Sequence, residues 1–304
     1  MKNVYKRMDV FRCNGDGHRR FENAVSVYHV LRERRCYPEG CLYFLWKCRH
    51  PLGEKGCSQG FRHVGRMCLS CPHFYDEKVV RYPRLLLPSR EYHRFLGDLR
   101  SFEGWLQEVM GREVSVWGVI NSVKPHFKEV IHPRGSHVVF QGFLLNFREA
   151  YLNLVQWEDL CYATIGKGLQ ALRRFRRKDQ VSFRATVRMD RGRLILHRLR
   201  AIETEAQGEG EFWTESKALL AQRLGRSFSG QPERCLACER GALLDVMEDW
   251  NGDKDVKRDR RLFCLEGISD PDLCSFHAEA ELASAGCESS QEGGSQANYE
   301  PGEA

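Results

Sequence analysis

Three runs of alternating apolar and polar residues in the middle of the chain constrain the fold more than any other feature. The runs are Val114–Ile120, Val181–Val187 and Arg193–Leu199. A period of two is typical of strands that bury one face and expose the other. Two further strands and a helix are predicted between the first run and the second, over Val138–Phe147, Ala150–Gln156 and Glu158–Phe175. We therefore predict a mixed α+β protein built around a small five-stranded β-barrel at 112–205.

The length and composition of the chain allow two or three compact domains. The chain has 304 residues, of which 42% are hydrophobic, an ordinary share for a globular protein. Its basic N-terminus is not followed by an apolar run, and no stretch approaches the roughly 20 apolar residues that a membrane-spanning helix needs. We expect a soluble, cytoplasmic protein without a membrane partner.

The segment 1–82 contains seven of the thirteen cysteines and is interrupted by many glycines and prolines. Too few apolar residues remain between these interruptions to build a core, so a metal ion is expected to hold the segment together. In a reducing cytosol, short Cys-x-x-Cys spacings indicate metal ligands rather than disulfides. The predicted ligands are Cys48, Cys57, Cys68 and Cys71, with Cys36, Cys41 and His73 as substitutes.

Two metal chemistries are open for this N-terminal group. Zinc is preferred, because four thiolates, or three with an imidazole, are its usual structural ligands. An iron-sulfur cluster is the alternative, because it is also held by four thiolates whose spacings vary.

Two helices are predicted around this segment. Apolar residues recur at steps of three and four over Arg19–Arg34, before the predicted ligands. The same periodicity marks Ser89–Met110, where Ser89 is the predicted N-cap and Gly111 ends the helix. This second helix, within 83–111, is expected to link the cysteine-rich segment to the barrel.

The C-terminal third of the chain is predicted to hold a second metal-stapled module. An acidic linker and a helix capped by Thr214 occupy 206–230, and the module itself is placed at 231–282. The predicted zinc ligands are Cys235, Cys238, Cys274 and His277, with Cys264 as a fifth candidate for the four places. Asp270 and Pro271 are interpreted as the start of a helix that brings Cys274 and His277 to one face.

The pairing of a Cys-x-x-Cys knuckle with a Cys-x-x-His helix start resembles treble-clef zinc modules. After this module, the segment 283–304 is rich in Ser, Glu and Gly without Lys or Arg, and is expected to be disordered.

Positive charge is concentrated in one part of the predicted barrel. From Arg173 to Arg200 the chain carries eleven Lys or Arg against Asp179 and Asp190. Such a density favours a polyanionic partner, and a solvated face neutralised by its neighbours is the alternative. The candidate phosphate-binding residues here are Arg173, Arg174, Arg176, Arg177 and Lys178.

The central stretch resembles an OB-fold, the five-stranded barrel with a helix between its third and fourth strands. Three features carry the resemblance, the Val-x-Val-x-Gly-x-Ile opening at 114–120, the Arg-Lys-Asp-Gln-Val-Ser-Phe entry at 177–183 and the short hairpin at Gly192. The resemblance implies a ligand face on strands two and three, bordered by the loops between strands one and two and between four and five. The residues of those loops that could neutralise phosphates are Lys124, Lys128, Arg134, Arg188, Arg191 and Arg193.

Aromatic side chains are the second requirement of single-strand recognition, because a stacked base contributes about 1 to 3 kcal/mol. Alternation along a strand lets only half of the barrel's aromatic residues face outward. We predict that Trp117 and Phe143 do so.

Three functions follow from these patterns. The preferred hypothesis is a non-catalytic, zinc-stabilised OB-fold protein that binds nucleic acid, since no catalytic triad or carboxylate pair stands out. The second is an iron-sulfur protein that senses or transfers electrons, and the third is a scaffold whose barrel binds protein.

Overall fold

The protein is described by a computed structural model over residues 1–15, 18, 22–50, 57, 59–132, 134–228, 235, 238–248 and 257–276. The chain divides into two compact units. The first is formed by 1–121, 146–164 and 179–207, and the second by 122–145, 165–178 and the chain from 208 onward. The predicted tail 283–304 lies outside the described residues.

The first unit begins with short elements. They are a 3-10 helix Val4–Lys6, strands β1 (Phe11–Arg12) and β2 (Ala24–Val25), a π-helical turn His29–Glu33, strand β3 (Cys41–Cys48), a 3-10 helix Arg66–Cys68, and strands β4 (Phe74–Arg81) and β5 (Arg84–Leu85). β1 lies between β2 and β5 in a three-stranded sheet, and β3 pairs only with β4 in an antiparallel hairpin. The predicted helix 19–34 is wrong over 24–25, which is a strand, because Asn23 takes a left-handed φ of 63° that interrupts any helix.

Helix α1 runs over Ser89–Val109, within one residue of the prediction. Its apolar stripe is buried, so the 3.6-residue period correctly identified the inward face. The predicted cap is wrong, because Pro88 is the N-cap and Ser89 makes no capping hydrogen bond. Gly111 follows the helix with a φ of 72°, a conformation that glycine adopts without strain.

The middle of the chain is mostly sheet, which confirms the mixed α+β class. Its elements are β6 (Glu113–His132), β7 (Gly135–Leu152), β8 (Val155–Trp157), β9 (Cys161–Ile165), helix α2 (Lys167–Arg173), β10 (Gln180–Asp190) and β11 (Arg193–Ala206). β6 pairs with β10, β10 with β11, β11 with β9, β9 with β7, and β7 with both β8 and β6. The β11–β9 pair is parallel, and the β6–β10 and β10–β11 pairs are antiparallel.

Alternation sends one face of these strands into the core of the first unit. Val116 on β6 lies opposite Phe183 on β10, and both are buried. Gly118 permits a close approach of strands, since a Cβ there would lie 3.0 Å from the Phe147 ring.

The bounds of three predicted elements in this region are wrong. The third long strand is β9 at 161–165, whereas the predicted strand at 150–156 is the end of β7 with its hairpin to β8. The predicted helix 158–175 is accordingly reduced to α2, and Leu172, assigned to its inward face, is 75% exposed. The predicted loop at 121–137 is also mostly strand, because β6 continues to His132.

The second unit adds helix α3 (Glu215–Leu224), strands β12 (Arg226–Phe228), β13 (Gly241–Glu248) and β14 (Lys257–Cys264), and a 3-10 helix Pro271–Leu273. α3 and its cap were predicted correctly, since the Thr214 side chain accepts a hydrogen bond from the Lys217 amide. β13 and β14 form a hairpin, and β13 also runs parallel to the second half of β6, with Leu244 opposite Phe127. Their inward side chains form a buried cluster of seven residues, Phe127, Ala221, Ala242, Leu244, Val246, Phe263 and Leu265.

Candidate metal centre and nucleic-acid interface

Four cysteines of the second unit line a single small cavity. Cys235 and Cys238 precede β13, Cys264 ends β14, and Cys274 follows the 3-10 helix 271–273. The cavity has a volume of about 20 Å³, and its remaining walls are mostly apolar. A volume of this size has room for one water-sized or ion-sized occupant. Four thiols around such a space are the donor set that structural zinc prefers.

A lysine from β6 holds the turn between Cys235 and β13. The Lys124 ammonium donates to the carbonyl oxygens of Cys238 and Gly241, at 2.7 and 2.5 Å. Burial lowers the pKa of Lys124, and the neighbouring Cys238 and Glu239 oppose that shift. The Lys124 ammonium is therefore engaged by these two carbonyls, and its contact with phosphate stays a prediction.

The backbone of the same turn is arranged around the Cys238 sulfur. The Arg240 amide donates to Cys238 Sγ at 3.4 Å, and the Gly241 amide to the Cys238 carbonyl at 3.1 Å. Gly241 is required by space, since a Cβ there would lie 2.1 Å from the Cys235 carbonyl oxygen. An amide directed at sulfur stabilises a thiolate, which is the form that binds metal.

The structure changes the predicted ligand set of this module. Cys264, predicted as a fifth candidate, lines the cavity together with the other three cysteines. Cys274 has an extended backbone between the 3-10 helix 271–273 and the helical residues 275–276, so the helix predicted from Pro271 is interrupted at Cys274. His277 itself lies outside the described residues. Among the residues that the structure describes, no three His, Cys, Asp or Glu side chains stand at metal-binding distances.

The N-terminal candidates gather at one end of the β3–β4 hairpin. Cys48 lies opposite Phe74, whose amide donates to the Cys71 carbonyl at 3.0 Å. The Cys71 amide in turn donates to the Cys68 carbonyl at 2.9 Å, which closes the Cys-x-x-Cys turn. The His73 carbonyl accepts from the Arg49 amide beside Cys48. Cys57 lies between segments that the structure does not describe, so only part of this group is defined.

Two of the proposed substitutes do not belong to that end of the hairpin. Cys41 begins β3 opposite Arg81, seven residues from Cys48, which corresponds to about 23 Å along an extended strand. Cys36 precedes Cys41 and is buried. The structure thus separates Cys36 and Cys41 from the predicted N-terminal ligands.

The outward face of β6, β7, β10 and β11 in the first unit carries an exposed pair of aromatic side chains, one on β6 and one on β7. Trp117 and Tyr151 are 36% and 40% exposed, and their rings meet edge to face at 5.8 Å between centroids. The Trp117 indole donates to a carboxylate oxygen of Glu205 at 2.8 Å, which fixes the ring orientation. The prediction that Trp117 faces outward is confirmed, whereas Phe143 is only 1% exposed and its predicted outward position is wrong.

Two arginines lie on the same face as Trp117, two residues further along the neighbouring strands. Trp117 is opposite Ser182 on β10, and Arg184, two residues further, is opposite Arg200 on β11. Residues that lie opposite each other, or two apart on one strand, share a face of the sheet. Arg184 and Arg200 are exposed, and Arg184 also approaches the Glu113 carboxylate at 3.6 Å. We call Trp117, Tyr151, Arg184 and Arg200 the aromatic-basic face.

Irregular pairing of β11 shapes this face. The register against β10 shifts on both sides of Arg184, so β11 has one extra residue at each shift. Arg198 and Ala201 have left-handed φ angles of 57° and 48° next to these shifts. Such bulges bend a strand and redirect its side chains.

The predicted ligand loop between β10 and β11 is covered within the first unit. The Asn3 amide group donates to the Gly192 carbonyl at 2.8 Å, and a Cβ at Gly192 would lie 2.9 Å from Tyr28. The Arg193 guanidinium lies over the Tyr162 ring at 5.8 Å. Arg191 and Arg193 are accordingly half-buried, and only Arg188 of the predicted residues near this loop is exposed.

The other predicted phosphate contacts belong to the second unit. Arg134 lies exposed in the turn after β6, and Lys128 is half-buried on β6. The other five predicted phosphate-binding residues lie at the end of α2 and directly after it. All are exposed except Arg176, which is half-buried. They are Arg173, Arg174, Arg176, Arg177 and Lys178. Two of these guanidinium groups, of Arg174 and Arg176, lie over the Phe212 ring, and Arg177 pairs with Glu239.

Arg184, Arg200 and Tyr151 were not predicted as site residues. The alternation that identified Trp117 as outward-facing would also identify these three residues once the register of the neighbouring strands is known. No such register can be obtained from a single strand.

Comparisons of this chain with protein-family models, with curated proteins and with solved structures find no match. In the described part of the chain, no helix has the length and apolar character needed to cross a membrane.

Proposed function

We propose that this protein binds single-stranded nucleic acid on the aromatic-basic face of an OB-like barrel, and that zinc-bound cysteines stabilise it without taking part in catalysis. The pairing order supports the barrel, since β6, β10, β11, β9 and β7 follow one another and β7 returns to β6. The parallel pairing of the third and fifth of these strands in chain order, β9 and β11, and the helix between β9 and β10 also agree with the OB arrangement.

The observation that carries the proposal is the proximity of exposed aromatic rings to exposed arginines on one sheet face. Trp117 and Tyr151 offer ring surfaces on which bases can stack, each stacked base contributing about 1 to 3 kcal/mol. Arg184 and Arg200 can neutralise phosphates of the same strand, and each contact releases counterions from the nucleic acid. A duplex buries its base faces, so this combination favours single strands.

Zinc at the C-terminal cysteines is supported by the cavity that the four thiols share. The thiols that would hold the ion are Cys235, Cys238, Cys264 and Cys274. Four protein ligands leave no coordination position for water, which is typical of a structural rather than a catalytic site.

The test is fluorescence anisotropy with a labelled oligothymidine of about 15 nucleotides, titrated at several salt concentrations. Removing both rings in Trp117→Ala/Tyr151→Ala is expected to weaken binding by at least about tenfold, the loss of one stacked base. The double variant Arg184→Gln/Arg200→Gln should reduce the slope of log K against log salt by about 1.4, because each phosphate contact to a single strand contributes about 0.7. The matched control Arg90→Gln/Arg94→Gln on α1 removes the same charge and should leave the affinity near that of the wild type.

The same oligonucleotide in duplex form tests the preference for single strands, which requires weaker binding to the duplex. The proposal is wrong if the wild type fails to bind the single strand at about 50 mM salt. It is equally wrong if both double variants bind with unchanged affinity and slope. Neutralising Arg173, Arg174, Arg176 and Arg177 together shows whether the residues that follow α2 contribute as well.

A further inference from the structure

Three cysteines near the N-terminus belong to neither of the metal groups discussed so far. Cys13 follows β1, and Cys36 and Cys41 flank the turn that leads into β3. Cys13 and Cys36 are each only 3% exposed. Together with His18 they give two matching spacings, Cys-x-x-x-x-His at 13–18 and Cys-x-x-x-x-Cys at 36–41.

The first spacing brings two donor atoms to one point. A Cβ placed on Gly15 would lie 3.2 Å from His18 Nδ1 and 3.7 Å from Cys13 Sγ, so the imidazole and the thiol approach the same side of the loop. A hydrogen bond from the His18 amide to the Gly15 carbonyl, at 2.9 Å, holds this loop closed.

The segment with the second spacing, 36–41, is held close to the strand that precedes Cys13. The rings of Phe11 and Tyr37, next to Cys13 and Cys36 in sequence, meet at 5.1 Å between centroids. A hydrogen bond from the Gly40 amide to the Cys36 carbonyl, at 2.7 Å, closes the turn between the two cysteines. Burial, with Cys41 and Cys13 acting in the same direction, raises the pKa of Cys36 to about 11.

A chain of hydrogen bonds determines which nitrogen of His18 carries its proton. The Glu33 carboxylate lies 2.6 Å from Nδ1 of His29, and Nε2 of His29 lies 3.1 Å from Nε2 of His18. In neutral imidazoles, His29 therefore donates from Nδ1 to Glu33 and accepts at Nε2 from His18. In this arrangement His18 donates from its Nε2 to His29. Its proton is then on Nε2, and Nδ1 presents a bare lone pair.

That lone pair is buried and has no hydrogen-bond partner within the described part of the chain. An unsatisfied buried acceptor costs about 1 to 3 kcal/mol, so an arrangement that leaves one needs a compensating ligand. Metal-binding histidines typically donate their other N–H to a carboxylate or a second group, as the His18–His29–Glu33 chain does. Nearby thiols complete a donor set of soft sulfur and imidazole, which favours zinc.

We propose that Cys13, His18, Cys36 and Cys41 bind a zinc-type divalent ion at a site of their own, with His29 and Glu33 orienting the histidine. The four donors surround the Gly15 loop and the turn at 36–41 without yet standing at bonding distance from one centre. Rotations of the three thiol side chains would bring their sulfurs toward Nδ1 of His18, whose ring is held by His29. The site is independent of the aromatic-basic face and of the other two cysteine groups.

Metal analysis of the anaerobically purified full chain tests the site. His18→Ala should lose about one equivalent of zinc per chain relative to the wild type, since the ion keeps only three ligands. The matched control is His93→Ala on the exposed face of α1, which should retain the full amount. Cys41→Ser, at a half-exposed thiol, should match His18→Ala and serves as the second variant if either protein is poorly folded by circular dichroism.

Cobalt substitution provides a readout specific to the ligands. Cobalt added to the metal-free wild type should give sulfur-to-cobalt charge-transfer bands, and His18→Ala should lose the share due to one site. Glu33→Gln should keep the zinc stoichiometry but weaken the affinity about 10- to 100-fold, as for other groups that orient a metal-bound histidine.

The proposal is overturned if His18→Ala and Cys41→Ser both retain the wild-type zinc content and cobalt spectrum, or if the wild type binds no metal. Oligonucleotide binding, measured on the same variants, depends on a different surface and reports separately on the proposed function.

Discussion

The two Cys-x-x-Cys segments of the chain have the same spacing but different surroundings. The segment at 68–71 lies in the connection between β3 and β4, which form a two-stranded sheet whose large apolar side chains are exposed. Those residues include Leu42, Phe44, Trp46, Tyr75 and Val80. The segment at 235–238 precedes β13, whose inward residues Leu244 and Val246 are fully buried.

This difference separates two ways of stabilising a small module. A two-stranded hairpin is marginally stable in water, so the N-terminal module depends on an additional constraint. The C-terminal module has a packed core of its own, and a metal ion there would fix the loops on top of it. The same Cys-x-x-Cys spacing therefore predicts different effects of a bound metal. It would have a large structural effect in the N-terminal module and a more local effect in the C-terminal module.

Removing one thiol from each segment tests whether the two modules differ in their dependence on a metal. Cys68→Ser is expected to abolish hydrogen-exchange protection throughout β3 and β4, because metal binding supplies about 10 kcal/mol or more in small structural zinc sites. Cys264→Ser should lose its metal as well, yet β13 should remain protected by its buried cluster. Exchange measured by mass spectrometry checks both variants.

Cys161→Ala is the control for this pair, because Cys161 is fully buried in the first unit and belongs to none of the cysteine groups. It should keep the full metal content. If β13 loses as much hydrogen-exchange protection in Cys264→Ser as β3 loses in Cys68→Ser, the two modules depend equally on a metal and the proposed difference is wrong.

A smaller effect is expected from Lys124, the buried lysine that supports the C-terminal turn. Lys124→Met removes both hydrogen bonds to the Cys238 and Gly241 carbonyls while keeping most of the side-chain volume. Metal affinity should fall about 10- to 100-fold, the range for groups that hold ligands in place. Competition with a chromophoric chelator measures this change.

Lys128→Met, four residues along the same strand, removes an equal charge and should leave the chelator competition unchanged. If both lysine variants weaken metal binding equally, the effect is electrostatic and the two hydrogen bonds do not support the turn.

Local patterns were sufficient for several elements of this fold. α1 and α3 follow from apolar periodicity, and Thr214 was identified as a cap because capping depends on three neighbouring residues. The alternation of β10 correctly placed Phe183 inward.

Elements that depend on distant partners were not predictable from the sequence. β9 is a strand because it pairs with β11, with Cys161 opposite Leu194, and nothing within five residues indicates that pairing. The second half of β6 is a strand because β13, more than a hundred residues later, lies alongside it. The position of Cys264 at the cavity depends on the same kind of information, since the β13–β14 register places it opposite Gly241, beside the Cys235–Cys238 turn.

The smallest effect concerns Asp245 on β13, which links the hairpin to β6. Burial alone would raise the pKa of Asp245, but a hydrogen bond from His126 at 3.0 Å and the charge of Arg260 outweigh it and hold the pKa well below its usual range. Because the folded-state pKa lies below the unfolded value of about 3.9, the carboxylate contributes stability that is fully present above about pH 4 and is lost as the pH falls further.

Asp245→Asn should therefore lower the free energy of unfolding by about 1.5 to 3 kcal/mol at pH 7, the range for a hydrogen bond to a charged group. The difference from the wild type should shrink as the pH falls below about 4, because the carboxylate is then protonated in the unfolded state while it keeps its charge in the folded state. Urea unfolding at pH 7 and pH 3 measures it. Glu211→Gln, which breaks the exposed pair with Lys217, should show no measurable change at either pH, because solvent screens that pair. A difference for Asp245→Asn that is equally large at both pH values would mean that the loss comes from altered packing of β13 against β6 rather than from the charge.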